Sequence, residues 1–585
     1  MKGRIVLTRS ATSDLTIFFL MQFTFFTRPV SFILALTVST TWCIAAPTAD
    51  LRLPHIFGNG MVLQQGKPVT VWGWAKPAAE VTIEFAGQTK SATTMADAKW
   101  TVQLDAMNAS FTPGNLVVRT AEQKLTLDNV LVGEVWVCGG QSNMERTLSS
   151  SLDADIDLTA ANYPAIRFIR LPKVANSEAQ DDFPVENANS PTGNWRAATT
   201  EQVANCTSVG YYFARRLQWN LKVPVGIIDN SWGGTLAQHW CNKKSLAGIA
   251  EMREDIATFE KKCKEWNDGG REEGAQKRLA ADVAQWEKDS AAAIAKGARA
   301  PGRPNPDSYT DPALGHQPGG MFNGSLAPFT KLTIRGVLFY QGENNAFGEA
   351  WKPYRYTLPA VISDWRSAFG DPTLPFGIIQ IAGWSTRRTM EYDMNHHCNI
   401  VREVQFDVWQ NTPNTGLIVS FDANSDGNIH PANKQPVGER SARWALSEVY
   451  AAKSAGSNEP LSWHGPVYDT TEFANGQAIV TFKKVGSQGL HLDKDTDLGF
   501  VVAGADKVFH NAHARIAQSK EKDEQLIVWS ENVTHPVAVR YASSNLPVGG
   551  LMNHRELPAF PFRSDNWPIT PHQSTGSYVR TKESK

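Results

Sequence analysis

From about residue 131 to residue 452 the chain alternates short apolar runs with segments of helical period, and that rhythm leaves few folds open. The runs at 132–138, 223–228, 334–340, 376–381 and 416–421 have the length and composition of buried strands. Helical periodicity lies between or after them at 209–221, 354–369, 397–410 and 433–451. Strands that are apolar on both faces must be covered on both faces. The expectation is an α/β fold, a mostly parallel sheet with helices packed against it.

On either side the rhythm changes. Residues 51–130 hold short alternating runs such as Val69-Thr70-Val71-Trp72-Gly73-Trp74 and Val81-Thr82-Ile83-Glu84-Phe85, punctuated by Gly, Pro and Asp, which predict a small sandwich-like β domain. Alternation returns over 455–568, where a second β-rich domain is expected, and 569–585 reads as a tail. Within the 131–452 domain, residues 241–320 stand apart. A stretch rich in Ala, Glu and Lys is followed by a Pro/Gly-rich one, which predicts an inserted helical hairpin and loop rather than a separate catalytic unit.

Charge narrows the partners. With 57 Lys+Arg against 58 Asp+Glu and no long single-sign run, the chain lacks the basic stripe of a nucleic-acid binder. At the front, Lys2, Arg4, Arg9 and Arg28 flank two apolar stretches, the second ending in Cys43-Ile44-Ala45-Ala46. Residues 1–46 therefore read as a signal peptide, with Met21 as an alternative start and an uncleaved anchor as the competing reading. No other segment has the ~20 apolar residues of a spanning helix. A secreted or periplasmic protein follows. Five cysteines remain after residue 46, an odd number with no CxxC pair, so at least one thiol is unpaired and a zinc site is not expected.

Ligands of open α/β sheets bind beyond the carboxyl ends of the strands, so the strand-to-helix junctions carry the chemistry. Four stand out. Gly139-Gly140-Gln141-Ser142-Asn143-Met144 sets a serine hydroxyl just past a glycine pair, at a helix start whose N–H groups favour an anion. Ser231-Trp232-Gly233-Gly234-Thr235 lets backbone approach a ligand closely. Tyr340-Gln341-Gly342-Glu343-Asn344-Asn345-Ala346 crowds polar residues at a strand end, where an amide could donate to an oxyanion. Asn428-Ile429-His430-Pro431 follows Asp422 and Asp426, so the chain order is Ser, Asp, His. His396-His397-Cys398 is not read as a metal site, because neighbours on a helix point about 100° apart.

Together these blocks resemble those of the SGNH hydrolases, and Gly140-Gln141-Ser142-Asn143-Met144 is similar in particular to the nucleophile block of the sialate O-acetylesterase family. The third block resembles that family's Tyr-Gln-Gly-Glu-Ser-Asn-Ala with Asn344 in place of Ser, and Ile429-His430-Pro431 with Lys434 resembles its His-Pro-x-x-Lys. Gly60–Gly73 and Leu557–Asp565 look like its first and last segments, so the likeness runs from about 55 to 568. The resemblance implies an SGNH-type three-layer core that removes O-acetyl groups from sialic acid or other glycans, without metal or cofactor. It implies Ser142 as nucleophile, His430 as base and acid, and the Ser142 N–H, Gly233 or Gly234 and Asn345 as oxyanion donors, with Gln141 and Glu343 in the substrate site. The triad acid is Asp426, narrowly favoured over Asp422, or is missing; the position three before His430 is Gly427. A lipase or thioesterase on the same core, and a glycan-binding protein with a silent core, are the alternatives.

Overall fold

The computed structural model describes residues 50–185, 191–384, 397–423, 428–493, 498–518 and 524–568. The expected leader 1–46 and tail 569–585 lie outside the described residues, and so does Asp426.

Among the described residues seven strands come first: β1 (Val62–Gln64), β2 (Val69–Trp74), β3 (Glu80–Phe85), β4 (Gln88–Thr93), β5 (Lys99–Leu104), β6 (Ser110–Arg119) and β7 (Lys124–Gly140). β2 pairs with β5, and β3 with β4 and β6, all antiparallel. β7 has two lives. Its first half pairs antiparallel with β6 and parallel with β1, and its second half is a central strand of the large sheet. Glu134, wholly buried on β7, marks the joint. Burial alone would raise its carboxyl, but hydrogen bonds from Arg335 (2.7 Å), Gln65 (2.6 Å) and Gln64 (3.0 Å) hold it below the usual carboxylate range.

The large sheet continues with β8 (Asn162–Arg170), β9 (Trp195–Thr199), β10 (Val225–Ser231), β11 (Gly336–Tyr340), β12 (Phe376–Ile379) and β13 (Thr415–Ile418). Its order is β13-β12-β11-β7-β10-β8-β9, parallel throughout except for the antiparallel edge strand β9. The sheet is therefore mixed rather than purely parallel. The helices are α1 (Ser142–Glu145), α2 (Ala154–Ala160), α3 (Ser208–Leu221), α4 (Lys243–Ala247), α5 (Arg253–Asp268), α6 (Arg271–Ala295), α7 (Tyr354–Ala368), α8 (Cys398–Asn411) and α9 (Gln435–Trp444).

Period-two alternation along the central strands sends side chains into two cores. Val135, Val137, Val337, Phe339 and Ile378 join Trp365 and Val361 of α7 and Val401 and Val404 of α8. Trp136, Cys138, Leu338 and Ile379 join Phe213 and Leu217 of α3 and Trp444 of α9. This explains why the strands read as unbroken apolar runs. At the end of β7 the backbone must pass close to its neighbours: a Cβ on Gly139 would lie 2.7 Å from the Trp365 ring. Gly140, at φ +125°, would drive one into the Tyr340 carbonyl.

The described residues beyond 465 form two antiparallel four-stranded sheets, one including Gln477–Phe482 and Glu524–Trp529, the other Phe500–Ala503 and Ala538–Tyr541, and a short antiparallel pair of His491–Leu492 with Leu551–Met552. A buried Arg540–Asp565 ion pair at 2.7 Å ties the last strands together. Among the described residues no helix is long and apolar enough to cross a membrane. All five described cysteines are unpaired thiols.

Candidate active site

The carboxyl ends of β7, β10 and β11 are adjacent in the sheet, so the three loops that follow them meet. The fourth loop, before α9, closes over them. Ser142 opens α1 directly after β7, and its Oγ lies 2.8 Å from Nε2 of His430, which is 288 residues away in sequence. Both side chains are half-buried. The pairing joins a hydroxyl to a base through the nitrogen that can take its proton, the first geometric requirement for nucleophilic catalysis. Desolvation lowers the His430 imidazole below its ordinary value of 6.5, and the positive charges of Arg146 and Lys434 lower it further against the opposing Glu145.

The His430 loop is held by a buried polar network. Asn143, next to Ser142, donates from Nδ2 to the Ile429 carbonyl at 2.9 Å and to Glu343 Oε1 at 2.5 Å. Its Oδ1 accepts from Lys434 Nζ at 2.5 Å. One amide thus spaces a buried carboxyl from a buried ammonium and clips the histidine loop to the serine helix. Burial pushes Glu343 up and Lys434 down from their ordinary values, while their mutual attraction opposes both shifts.

Two expected ligand-facing groups prove to be cross-links. Gln141 is buried, and its Oε1 accepts from the Gly342 N–H (3.2 Å), the Asn344 N–H (3.3 Å) and Gln341 Nε2 (3.2 Å), which locks the loops after β7 and β11 together. Glu343 is likewise buried in the network above rather than open to substrate. Asn345, the amide expected as an oxyanion donor, lies in the same interior. It is fully buried, its Nδ2 donating to Ala350 O (2.9 Å) and Gln238 Oε1 (3.3 Å) and its Oδ1 accepting from the Ala237 N–H (3.0 Å).

Gly233 and Gly234 divide. The Gly233 N–H donates to Glu145 Oε2 at 2.7 Å, so it is committed, and a Cβ at Gly233 would lie 3.3 Å from that of Ser142. Among the described residues, neither the Ser142 N–H nor the Gly234 N–H has an acceptor. Glu145 is itself held by Arg170 (3.0 Å) and Lys173 (2.6 Å). Asn344, the departure from the family pattern, donates from Nδ2 to the Gly234 carbonyl at 2.6 Å and so braces the glycine loop.

Asp422 is engaged elsewhere, accepting a two-pronged contact from Arg440 at 2.7 and 2.6 Å. Among the described residues no acceptor meets His430 Nδ1, and the favoured Asp426 is not described. His397 stacks on Trp351 at 5.1 Å between ring centroids, with its Nδ1 3.2 Å from the Ala346 carbonyl; His396 lies outside the described residues. Sequence reasoning missed the structural duties of Asn143 and Lys434, although both lie inside the motifs it singled out. Glu145 carried no signal at all.

A family model described as carbohydrate esterase, sialic acid-specific acetylesterase matches residues 322–447, the stretch that carries Gln341, Glu343 and His430. The sialate O-acetylesterase of Mus musculus is 26% identical over 471 residues, covering 74% of this chain and 79% of the relative. That of Homo sapiens is 26% identical over 459 residues, covering 74% and 76%. A crystal structure of a carbohydrate acetylesterase from Xanthomonas citri superposes with a TM-score of 0.70 at 30% identity, covering 88% of this chain and all of that one.

Proposed function

The chain belongs to the sialate O-acetylesterase family of carbohydrate esterases, and from that premise we propose that it is an exported enzyme which removes O-acetyl groups from sialic acid or other acetylated glycans through an acetyl-serine intermediate. The observation that carries the mechanism is the 2.8 Å Ser142–His430 contact at the mouth of the sheet. Export is supported by the leader-like composition of residues 1–46. An SGNH-type core is supported by the strand order and by helices on both faces.

In this reading Ser142 Oγ attacks the acetyl carbonyl while His430 Nε2 takes its proton. The oxyanion settles against the N–H groups of Ser142 and Gly234, expected donors that have no acceptor among the described residues. Collapse of the tetrahedral species breaks the bond to the sugar oxygen, which leaves with the proton from His430. Water, deprotonated by the same imidazole, then attacks the acetyl-serine, and acetate departs as Ser142 regains its proton. Asp426 orients His430 in this scheme, and Asp422 serves Arg440.

The neighbours of the serine are polar, which favours a small acyl group over a long apolar one. Gly233 backs directly onto Ser142, and Glu145, Arg146 and His430 surround it with polar groups. On a 4-nitrophenyl ester series, kcat/KM falls by about tenfold or more from acetate to butyrate, with acetate released from O-acetylated sialic acid or glycans. A preference for long acyl chains would point to a lipase and end this reading.

The pH profile carries a signature of the site. The base works when neutral, and its proton affinity is lowered here, so the acid limb of kcat/KM lies below pH 6.5. Arg146→Gln removes one positive neighbour and moves that limb upward, toward 6.5. Because Arg146 is exposed, added salt shrinks the difference between the two proteins. A limb that stays put in the variant at low salt would remove Arg146 from the electrostatics of the base.

A further inference from the structure

The helices of the 241–320 insert do more than decorate the core. Between them and the turn that follows the Gly233-Gly234 loop lies a cavity of about 870 Å³, within the range of small-ligand sites. It begins close to the nucleophile. Gly233 backs onto Ser142, a Cβ on Gly234 would lie 3.2 Å from His316 Cε1, and His316, which packs on Trp232 at 5.2 Å, forms part of the cavity wall. The far wall is α5, with Phe259 and Trp266 lining the cavity. The helix is tied back to the site by a relay: Asn345 Nδ2 donates to Gln238 Oε1 at 3.3 Å, and Gln238 Nε2 to Asp255 Oδ2 at 3.3 Å.

We propose that this cavity is a saccharide subsite that holds neutral, hydroxyl-rich sugar units flanking the acetylated one, so that the enzyme acts on oligosaccharides in preference to single acetylated sugars. The proposal rests on the acetylesterase reading and adds to it the substrate's size and charge class. Phe259, half-buried on that wall, offers rigid apolar area to the C–H face of a pyranose, whereas Trp266 is nine-tenths buried and shows the cavity only a small part of its ring. Polar groups alternate with them: His239 accepts from the Leu236 N–H at Nδ1 (3.1 Å), which leaves its proton on Nε2 as a donor. Burial, then the neighbouring His316, pushes His239 down to about 3, so it remains neutral at working pH. Lys262 and Arg278 share the wall with Asp255, Glu265 and Asp311, and this near-balance of charge offers no field to attract a polyanion.

The test compares kcat/KM on O-acetylated xylotetraose, an O-acetylated methyl monoglycoside and 4-nitrophenyl acetate. The parent is expected to favour the tetrasaccharide over the monoglycoside. Trp266→Ala and, on the half-buried position, Phe259→Ala are expected to lose about tenfold or more on the tetrasaccharide and to stay within about twofold on 4-nitrophenyl acetate. Retained aryl-ester activity certifies the fold of each variant. A tetrasaccharide-to-monoglycoside ratio that neither variant changes overturns the subsite while leaving the esterase intact. A parent that releases acetate from none of the three overturns both readings together.

Discussion

Ser142→Ala is expected to lower kcat/KM on 4-nitrophenyl acetate by about 10⁴-fold or more, while the midpoint of chemical denaturation stays close to the parent's. Removing the nucleophile of a serine–histidine pair abolishes the acyl-enzyme route and leaves only binding and oxyanion stabilisation. The hydroxyl is half-buried and, among the described residues, its side-chain partner is His430, so its loss costs little fold stability. Activity within a few-fold of the parent would end the serine mechanism. The same assay separates the acids. Asp426→Asn is expected to cost more in kcat than Asp422→Asn, because Arg440 already holds Asp422 at 2.7 and 2.6 Å. If both asparagine variants keep the parental kcat, the chemistry runs on the Ser142–His430 pair alone.

The second large effect falls on the fold as well as on the rate. Lys434→Met leaves the buried Glu343 carboxyl without its counter-charge and strips Asn143 Oδ1 of its donor. Breaking one side of a buried charge pair costs about 3–5 kcal/mol. The same change loosens the hold of Asn143 on the Ile429 carbonyl and so on His430, and kcat falls with stability. Pairing Lys434→Met with Glu343→Gln removes the stranded charge, and the double variant is expected to recover most of the lost stability in urea titrations. Additive losses in that cycle would show that the two buried groups do not act as a unit.

The strand-to-helix loops were legible because an apolar run that ends abruptly in small and polar residues has one common cause, a buried strand emerging at the edge of a sheet. Ser142 and His430 followed from that, and the structure brings them together. The duties of Gln141, Glu343 and Asn345 were not legible. A polar side chain at a strand end looks the same in sequence whether it faces a ligand or bonds the next loop, and only the three-dimensional neighbour decides. The continuity of β7 was hidden for a different reason. The domain boundary expected at residue 130 falls inside the strand: Asn129 takes a left-handed φ of +59°, yet β7 absorbs it and continues. The edge strand β9, short and only partly buried, had too little apolar pattern to announce itself.

β7 also sets what can be taken away from this enzyme. A fragment trimmed to start near residue 131 would sever a single 17-residue strand and strip its remainder of β1 and β6. It would also lose the Gln64 and Gln65 donors that help keep Glu134 ionised in the interior. Such a fragment would present a raw, apolar strand edge to every other copy in solution, a template for aggregation. The smallest fragment expected to stay in solution therefore begins ahead of β1, and the front β region is inherited with Ser142 rather than exchangeable from it.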